Sequence, residues 1–256
     1  MGLTFDREHH AVVVGAGGAI GAASTRAFQR AGAYVTALDV DLAAAQRALA
    51  GGPGRAARLD VTSVHEVGRV AEEVAGDRAV DSVLYAAGVA PTSDVLALDW
   101  DEYHQTLAVN LHGALHIGQA FGRAMLTAGN GGSFAFISSA AGKRGEPGAA
   151  AYCASKFGLL GVVECFAAEL APHGIRVNAL CPGNVDTPML RSLAQAEAQR
   201  EGTSAEEMLA RYRAAAASGR LVRVDEVAAT AVWLASDDAS GITGESVNID
   251  AGALTG

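Results

Sequence analysis

The sequence predicts a doubly wound α/β fold: one parallel sheet of about seven strands, helices on both faces, and a helical lid. Three observations carry this. Short apolar runs alternate with helical stretches from residue 11 to residue 249. The first run ends in a glycine-rich turn, Gly15-Ala16-Gly17-Gly18-Ala19-Ile20-Gly21, that opens directly into a helix. The chain is half hydrophobic but only 5% aromatic, with 31 glycines, which suits a buried parallel sheet covered by small-residue helices.

The elements follow in order. Residues 11–14 form an apolar strand ending at Gly15, and 18–31 a helix closed by Gly32. Residues 34–38 are a second strand, ending at Asp39. A helix over 42–50 is broken by Gly51-Gly52-Pro53-Gly54. Residues 56–59 are a third strand, ending at Asp60. The helix over 63–75 starts with Ser63 and Glu66 at capping-box spacing. A fourth strand spans 80–86, a long helix 100–127 and a fifth strand 133–138. The helix over 150–171 is closed by Pro172-His173-Gly174, and a sixth strand covers 176–180. A helix over 224–235 and a strand over 246–249 complete the set. No linker or repeat divides the chain, so residues 1–256 read as a single domain. Residues 184–220 stand apart, with Met189, Leu190, Leu193, Met208, Leu209 and Tyr212 among many charges. The segment is too long for a plain connection and reads as a helical lid beside the site.

Composition excludes several classes. A formal net charge of −9 argues against nucleic acid or an anionic membrane as partner. Cys153, Cys165 and Cys181 are odd in number and form no CxxC pair, so a reduced, cytoplasmic protein is expected. Residues 1–10 carry charges and no apolar core of signal-peptide length. No window reads as a membrane span of roughly 20 apolar residues. The seven histidines do not cluster; His112 and His116 share a helix face with no ligand partner in sequence, so no metal site is expected. Cys153 has no base near it in sequence and reads as a packing residue.

The chemistry concentrates around a lysine. The chain has two, and Lys156 follows Tyr152 by four residues, with Ser139 thirteen residues before Tyr152. On a helix that spacing puts a phenol and an ammonium on one face. A nearby cation lowers the phenol pKa from about 10, giving a base or acid usable near neutral pH. A serine hydroxyl delivered from elsewhere would polarise a carbonyl. The glycine turn suits a pyrophosphate, held by backbone N–H groups and the helix N-terminus. Asp39 ends the second strand, where a carboxylate accepts from ribose hydroxyls and repels a 2′-phosphate. No Arg or Lys lies near residues 16–18 or directly after Asp39, so NAD is expected over NADP. Asp60 repeats the strand-end pattern and reads as an adenine contact or a helix cap.

Taken together, these motifs resemble the short-chain dehydrogenase/reductase family over essentially the whole chain. Gly15, Gly18, Ala19, Ile20 and Gly21 fall in its glycine loop, Asp60-Val61 at its adenine contact, and Ala87-Gly88 after its fourth strand. Asn110, Ser139, Tyr152 and Lys156 match its four catalytic residues. Pro182-Gly183, Val185 and Thr187 match its nicotinamide-facing segment, and Gly244 and Asp250-Ala251-Gly252 its C-terminal pattern. The resemblance implies a Rossmann-type fold and a homotetramer paired through the long helices and the last strand. It also implies roles. Tyr152 would take and return the alcohol proton, and Lys156 would lower its pKa and bind the nicotinamide ribose. Ser139 would hold the substrate oxygen, and Asn110 a water linking Lys156 to solvent. Val185 and Thr187 would hold the carboxamide. Two departures stand out. Val14 and Ala19 replace the usual Thr and Gly of the loop, and Tyr85-Ala86 replaces a usual Asn-Asn, whose amides brace the central sheet.

The substrate pocket is expected between residues 140–148, 184–190 and the lid, with Ala141, Glu146, Asn184 and Met189 as candidate contacts. A buried carboxylate such as Glu146 wants hydroxyl donors. Residues 141–146, with Tyr152 to Lys156, resemble the NAD-dependent polyol dehydrogenases of the family, so an alcohol of polyol, diol or sugar type is the leading expectation. The alternative is reduction of a ketone on a carrier-bound acyl chain or a hydrophobic ring. A remote alternative is a non-catalytic nucleotide sensor on the same fold.

Overall fold

A computed structural model describes residues 3–5 and 8–254. The expectation for the first ten residues therefore falls partly on positions 1, 2, 6 and 7, which lie outside the described residues. Seven strands form one sheet: β1 (His10–Val14), β2 (Tyr34–Asp39), β3 (Gly54–Arg58), β4 (Ser82–Tyr85), β5 (Gly132–Ile137), β6 (Ile175–Pro182) and β7 (Ser246–Ile249). Their order is β3-β2-β1-β4-β5-β6-β7, and every pair is parallel. The chain winds outward from β1 to β3, returns beside β1 as β4, and winds the other way to β7. The reversal opens a crevice beyond the C-terminal ends of β1 and β4, where ligands of such sheets sit.

The helices are α1 (Ala19–Arg30), α2 (Leu42–Leu49), α3 (Val64–Asp77), α4 (Trp100–Leu107), α5 (Gly113–Ala128), α6 (Ala150–Leu170), α7 (Pro188–Glu201), α8 (Ala205–Ala214) and α9 (Val224–Ala235). Strand pleating sends alternate residues to opposite faces. Val12, Val14, Phe134 and Phe136 join a core with Val67 of α3, Ile117 and Phe121 of α5 and Leu159 of α6. Ala11, Val13, Ala135 and Ile137 join the other core, with Ala23 and Phe28 of α1, Ala45 of α2 and Ala231 of α9. Aromatic side chains concentrate on the first face and alanines on the second.

Several expectations change. β4 is shorter than predicted, and α3 runs on to Asp77. The capping box at Ser63 is half formed: Ser63 Oγ accepts from Glu66 N at 3.2 Å. The Glu66 carboxylate instead accepts from Asp60 N and Arg58 Nη1, and Ser63 N–H bonds the Asp60 carbonyl. The Arg58 guanidinium offers Glu66 a stronger, charge-assisted partner than Ser63 N–H. The long helix over 100–127 is interrupted by a π-turn at Ala108–His112. A further correction concerns membranes: Ala150–His173 is long and apolar enough to cross one by length and composition. The reason lies in its packing, since α6 is apolar toward the sheet and also where it meets α4 and α5, and it carries the buried Lys156. The lid is two helices, α7 and α8, closed on a small core of their own: Leu190, Ala194, Ala198, Met208 and Leu209.

Candidate active site

The glycine loop is shaped by close backbone contacts. Gly15 has φ +79°, and a Cβ there would lie 2.4 Å from Ala87 N, so β1 and β4 meet at their ends only because this side chain is absent. A Cβ on Gly21 would lie 2.0 Å from Gly15 O. Gly17, which the sequence reading passed over, is equally constrained: a Cβ there would lie 2.5 Å from Ala44 Cβ and 3.0 Å from Asp39 Oδ2. Its N–H donates to Asp39 Oδ2 at 2.8 Å, and Asp41 N donates to Asp39 Oδ1 at 3.0 Å. Asp39 therefore holds the loop as well as ending β2.

Gly18 differs: the nearest atom to its Cβ would be Gly15 O at 3.5 Å, ordinary contact, so the protein's own packing does not demand a glycine there. The open space lies at the N-terminus of α1, which no side chain caps. The N–H groups of Ala19 and Ile20 belong to that unsatisfied first turn. This is the cradle a pyrophosphate fills, and the chain fits a nicotinamide dinucleotide. Along the same crevice, Asp60 Oδ1 accepts from Thr62 N and Oγ1 at 3.0 and 2.7 Å, which holds its carboxyl below the usual range. Val61 is buried against Gly113, and its carbonyl accepts from His116 Nδ1 at 3.0 Å.

At the ends of β4, β5 and β6 the reactive groups meet. Lys156 is buried on α6; its Nζ donates to Ile137 O at 2.8 Å and lies 5.6 Å from the centroid of the Tyr152 ring. Burial pulls its pKa down to about 8. Burial pushes the Tyr152 phenol up to about 12, opposed by a hydrogen bond with Ser139 and increased by Glu146. The expected depression of the phenol pKa by Lys156 is thus absent in the chain alone. The ammonium is turned to a carbonyl, and its own charge is disfavoured by burial. Ser139 Oγ accepts from Ala141 N at 3.1 Å.

Asn110 lies at the centre of the π-turn, fully buried. Its Oδ1 accepts from Val89 N, and its Nδ2 donates to Val89 O and Ser155 Oγ, at 2.9, 2.9 and 3.0 Å. Ser155 Oγ donates onward to Tyr152 O at 2.7 Å. The side chain is spent on these partners, so a water relay at Asn110 would fall to its main chain. Gly88 sits between the two groups: a Cβ there would lie 3.3 Å from Asn110 Oδ1 and 3.7 Å from Lys156 Nζ. Ala87 is the residue against which Gly15 packs.

Beyond β6, Gly183 packs on Asp250, and Val185 pairs with Val222. Thr187 caps α7, its Oγ1 accepting from Leu190 N at 3.2 Å. The candidate substrate residues part company. Ala141 is 1% exposed, in a tight turn packed against α6, and its N–H donates to Ser139 Oγ. Glu146 has open surface, yet partial burial of its carboxyl pushes its pKa up, opposed by Arg144 and aided by Glu197. Asn184 Nδ2 reaches the Tyr212 carbonyl at 3.4 Å, and Met189 is 51% exposed. The lid supplies groups not anticipated: Tyr212 donates to Glu197, and Arg200 pairs with Asp94 at 3.6 Å while lying against Gly148. The loop after Ser139 is tied to the sheet edge by Lys143, whose Nζ donates to Ser246 O and Asn248 Oδ1 at 2.6 and 2.7 Å.

A dinucleotide cradle beside a phenol, a hydroxyl and a buried ammonium is the equipment of an oxidoreductase that acts on CH–OH groups. Residues 15–254 match the family described as enoyl-(acyl carrier protein) reductase. A (3R)-3-hydroxyacyl-CoA dehydrogenase of Homo sapiens is 34% identical over 256 residues, covering 94% of each chain. A sorbitol dehydrogenase of Cereibacter sphaeroides is 32% identical over 246 residues, covering 94% of this chain and 96% of that one. The crystal structure of an actinorhodin polyketide ketoreductase with NADPH superposes with a TM-score of 0.92 at 29% identity, covering 98% of this chain and 99% of that one. The chain belongs to the short-chain dehydrogenase/reductase family.

Proposed function

We propose that this chain exchanges a hydride between NAD and a secondary alcohol of polyol, diol or sugar type, with Tyr152 as general base and acid. The observation that carries the reading is the meeting of Tyr152, Ser139 and Lys156 beside the loop that Asp39 holds. When bound, the nicotinamide accepts or returns the hydride. The protein's groups do the rest. Tyr152 holds the alcohol proton at its phenolic oxygen. Ser139 donates to the substrate oxygen and stabilises negative charge developing there. Lys156 supplies positive charge next to the phenol. Asn110 and Ser155 fix the start of α6 and with it the phenol.

NAD rather than NADP is supported by the Asp39 carboxylate and by the engagement of two nearby cations: Arg58, which neighbours Asp39 across the sheet, pairs with Glu66 at 2.8 Å, and Arg47 with Asp41 at 3.7 Å. The polyol class is supported by the sorbitol relative and, more weakly than a buried carboxylate would, by Glu146, which is exposed but close enough for its charge to act on Tyr152. A second reading, reduction of a ketone on a carrier-bound acyl chain, is favoured by the hydroxyacyl-CoA relative and by exposed apolar residues on the loop facing the lid, Leu96 at 99% above all. A homotetramer and a cytoplasmic location belong to the same proposal. Phe157 on α6 and Trp100 on α4, both exposed, support the first, and three unpaired cysteines the second. Neither nucleic acid nor a membrane is part of it, in keeping with the net charge of −9.

The test is nicotinamide absorbance with NAD and with NADP across polyols, diols, ring alcohols and a β-ketoacyl thioester. Turnover of one polyol with NAD is the expected result. Turnover only with NADP would overturn the Asp39 argument, and turnover only of the thioester would favour the second reading.

A further inference from the structure

The family's usual amide pair after the fourth strand is replaced here by Tyr85-Ala86, and the bracing it supplies has a different source. Tyr85 is the last residue of β4 and is completely buried, with its ring tilted against Phe136 at 6.1 Å. Its hydroxyl donates to the Val109 carbonyl. That bond meets the carbonyl where the helix pattern shifts. In a regular α-helix it would accept from the N–H four residues on, that of Gly113. At the π-turn the Gly113 N–H bonds Ala108 O instead. Buried carbonyls left unmatched are costly, and π-turns persist where something serves the freed group. Gly113 also makes the room: a Cβ there would lie 2.6 Å from the Tyr85 hydroxyl oxygen.

We propose that Tyr85 is a positioning residue for the reaction, holding the π-turn that presents Asn110 and, through Ser155, aligning Tyr152. Two straps join the same two segments. One runs from Tyr85 to Val109, and the other is the pair of bonds between Asn110 and Val89. From Asn110 the path continues through Ser155 Oγ to the carbonyl of Tyr152. Without the phenol hydroxyl, the Val109 carbonyl reclaims Gly113 N–H, and the turn relaxes toward a regular helix. That change rotates Asn110 away from Val89 and Ser155.

The experiment is Tyr85→Phe, which removes one oxygen and keeps the ring on Phe136. With the folded enzyme the expected result is a kcat lowered by about tenfold or more, as small misplacements of reacting groups cause. The KM for the dinucleotide stays unchanged, and the alkaline rise of the kcat–pH profile moves. A lower melting temperature with kcat and pH profile intact would assign Tyr85 to stability alone and overturn the proposal. Should Tyr85→Phe not fold, Ser155→Ala cuts the path one step nearer Tyr152 without touching the sheet. The same fall in kcat with a moved pH profile supports the proposal, and unchanged kcat and profile overturn it.

Discussion

At the reaction end of the cleft, Asn110, Ser155 and Lys156 are buried and bonded to backbone or to one another. At the lid end, the bonds join charged side chains across open surface: Arg211 to Glu201, Arg213 to Glu206, Arg191 to Asp186. Bonds of the first kind leave an unmatched polar group behind when broken. Those of the second kind are screened by water and contribute about 0–1 kcal/mol each. The contrast teaches a division of labour. The proton-transfer geometry is fixed by groups that have nowhere else to go, and the substrate end is closed by contacts that can be exchanged cheaply.

Three changes test that contrast, in falling order of effect. Tyr152→Phe is expected to lower kcat by about 10²–10⁴-fold, the range for a lost general acid–base, with dinucleotide binding by fluorescence retained. Unaltered turnover would remove Tyr152 from the chemistry. Lys156→Met is expected to abolish turnover and to change stability at pH 7 little, because relief of the buried ammonium is offset by the Ile137 carbonyl left unmatched.

The pH dependence follows from proton counting. Between about pH 8 and 10.5 the unfolded chain holds the Lys156 proton and the folded chain does not, so stability rises with pH there. Tyr152 does the reverse: between 10 and about 12 the folded chain keeps the proton, so stability falls with pH. Urea midpoints against pH should climb and then drop in the native protein, and Lys156→Met should lose the climb. Smallest of the three is Arg211→Ala, which breaks the pair with Glu201 in the lid. It should cost no more than about 0.5–1 kcal/mol and leave kcat within about twofold.

The order of strands and helices was legible because buried parallel strands are apolar runs and their ends carry Gly15, Asp39 and Asp60. Tyr152 and Lys156 were legible because helical spacing alone brings them together. Tyr85 was not, since a tyrosine ending an apolar run reads as core, and its partner lies 24 residues away. One signal was available: Gly113 inside a long helical run, a residue such helices keep only for a packing reason. Gly17 was overlooked because a loop rich in glycine does not say which glycine a neighbour forbids from changing. The bond from Ala141 N–H to Ser139 was not legible, because the tight turn after Ser139 has no periodicity to betray it. The lid was legible as helical, but Glu197 and Tyr212 sit on different helices and meet only when α7 and α8 fold together.

The two lysines have a practical consequence. Reagents that acylate ε-amines find only Lys143 and Lys156 in this chain. Lys143 is exposed, and modifying it releases the loop after Ser139 from Ser246 and Asn248. Lys156 is buried beside Tyr152 and, at about pH 8, is half in the nucleophilic free-base form. Amine labelling, crosslinking or surface immobilisation of this protein is therefore a probe of its active site, and a bound dinucleotide should shield one of the two labels.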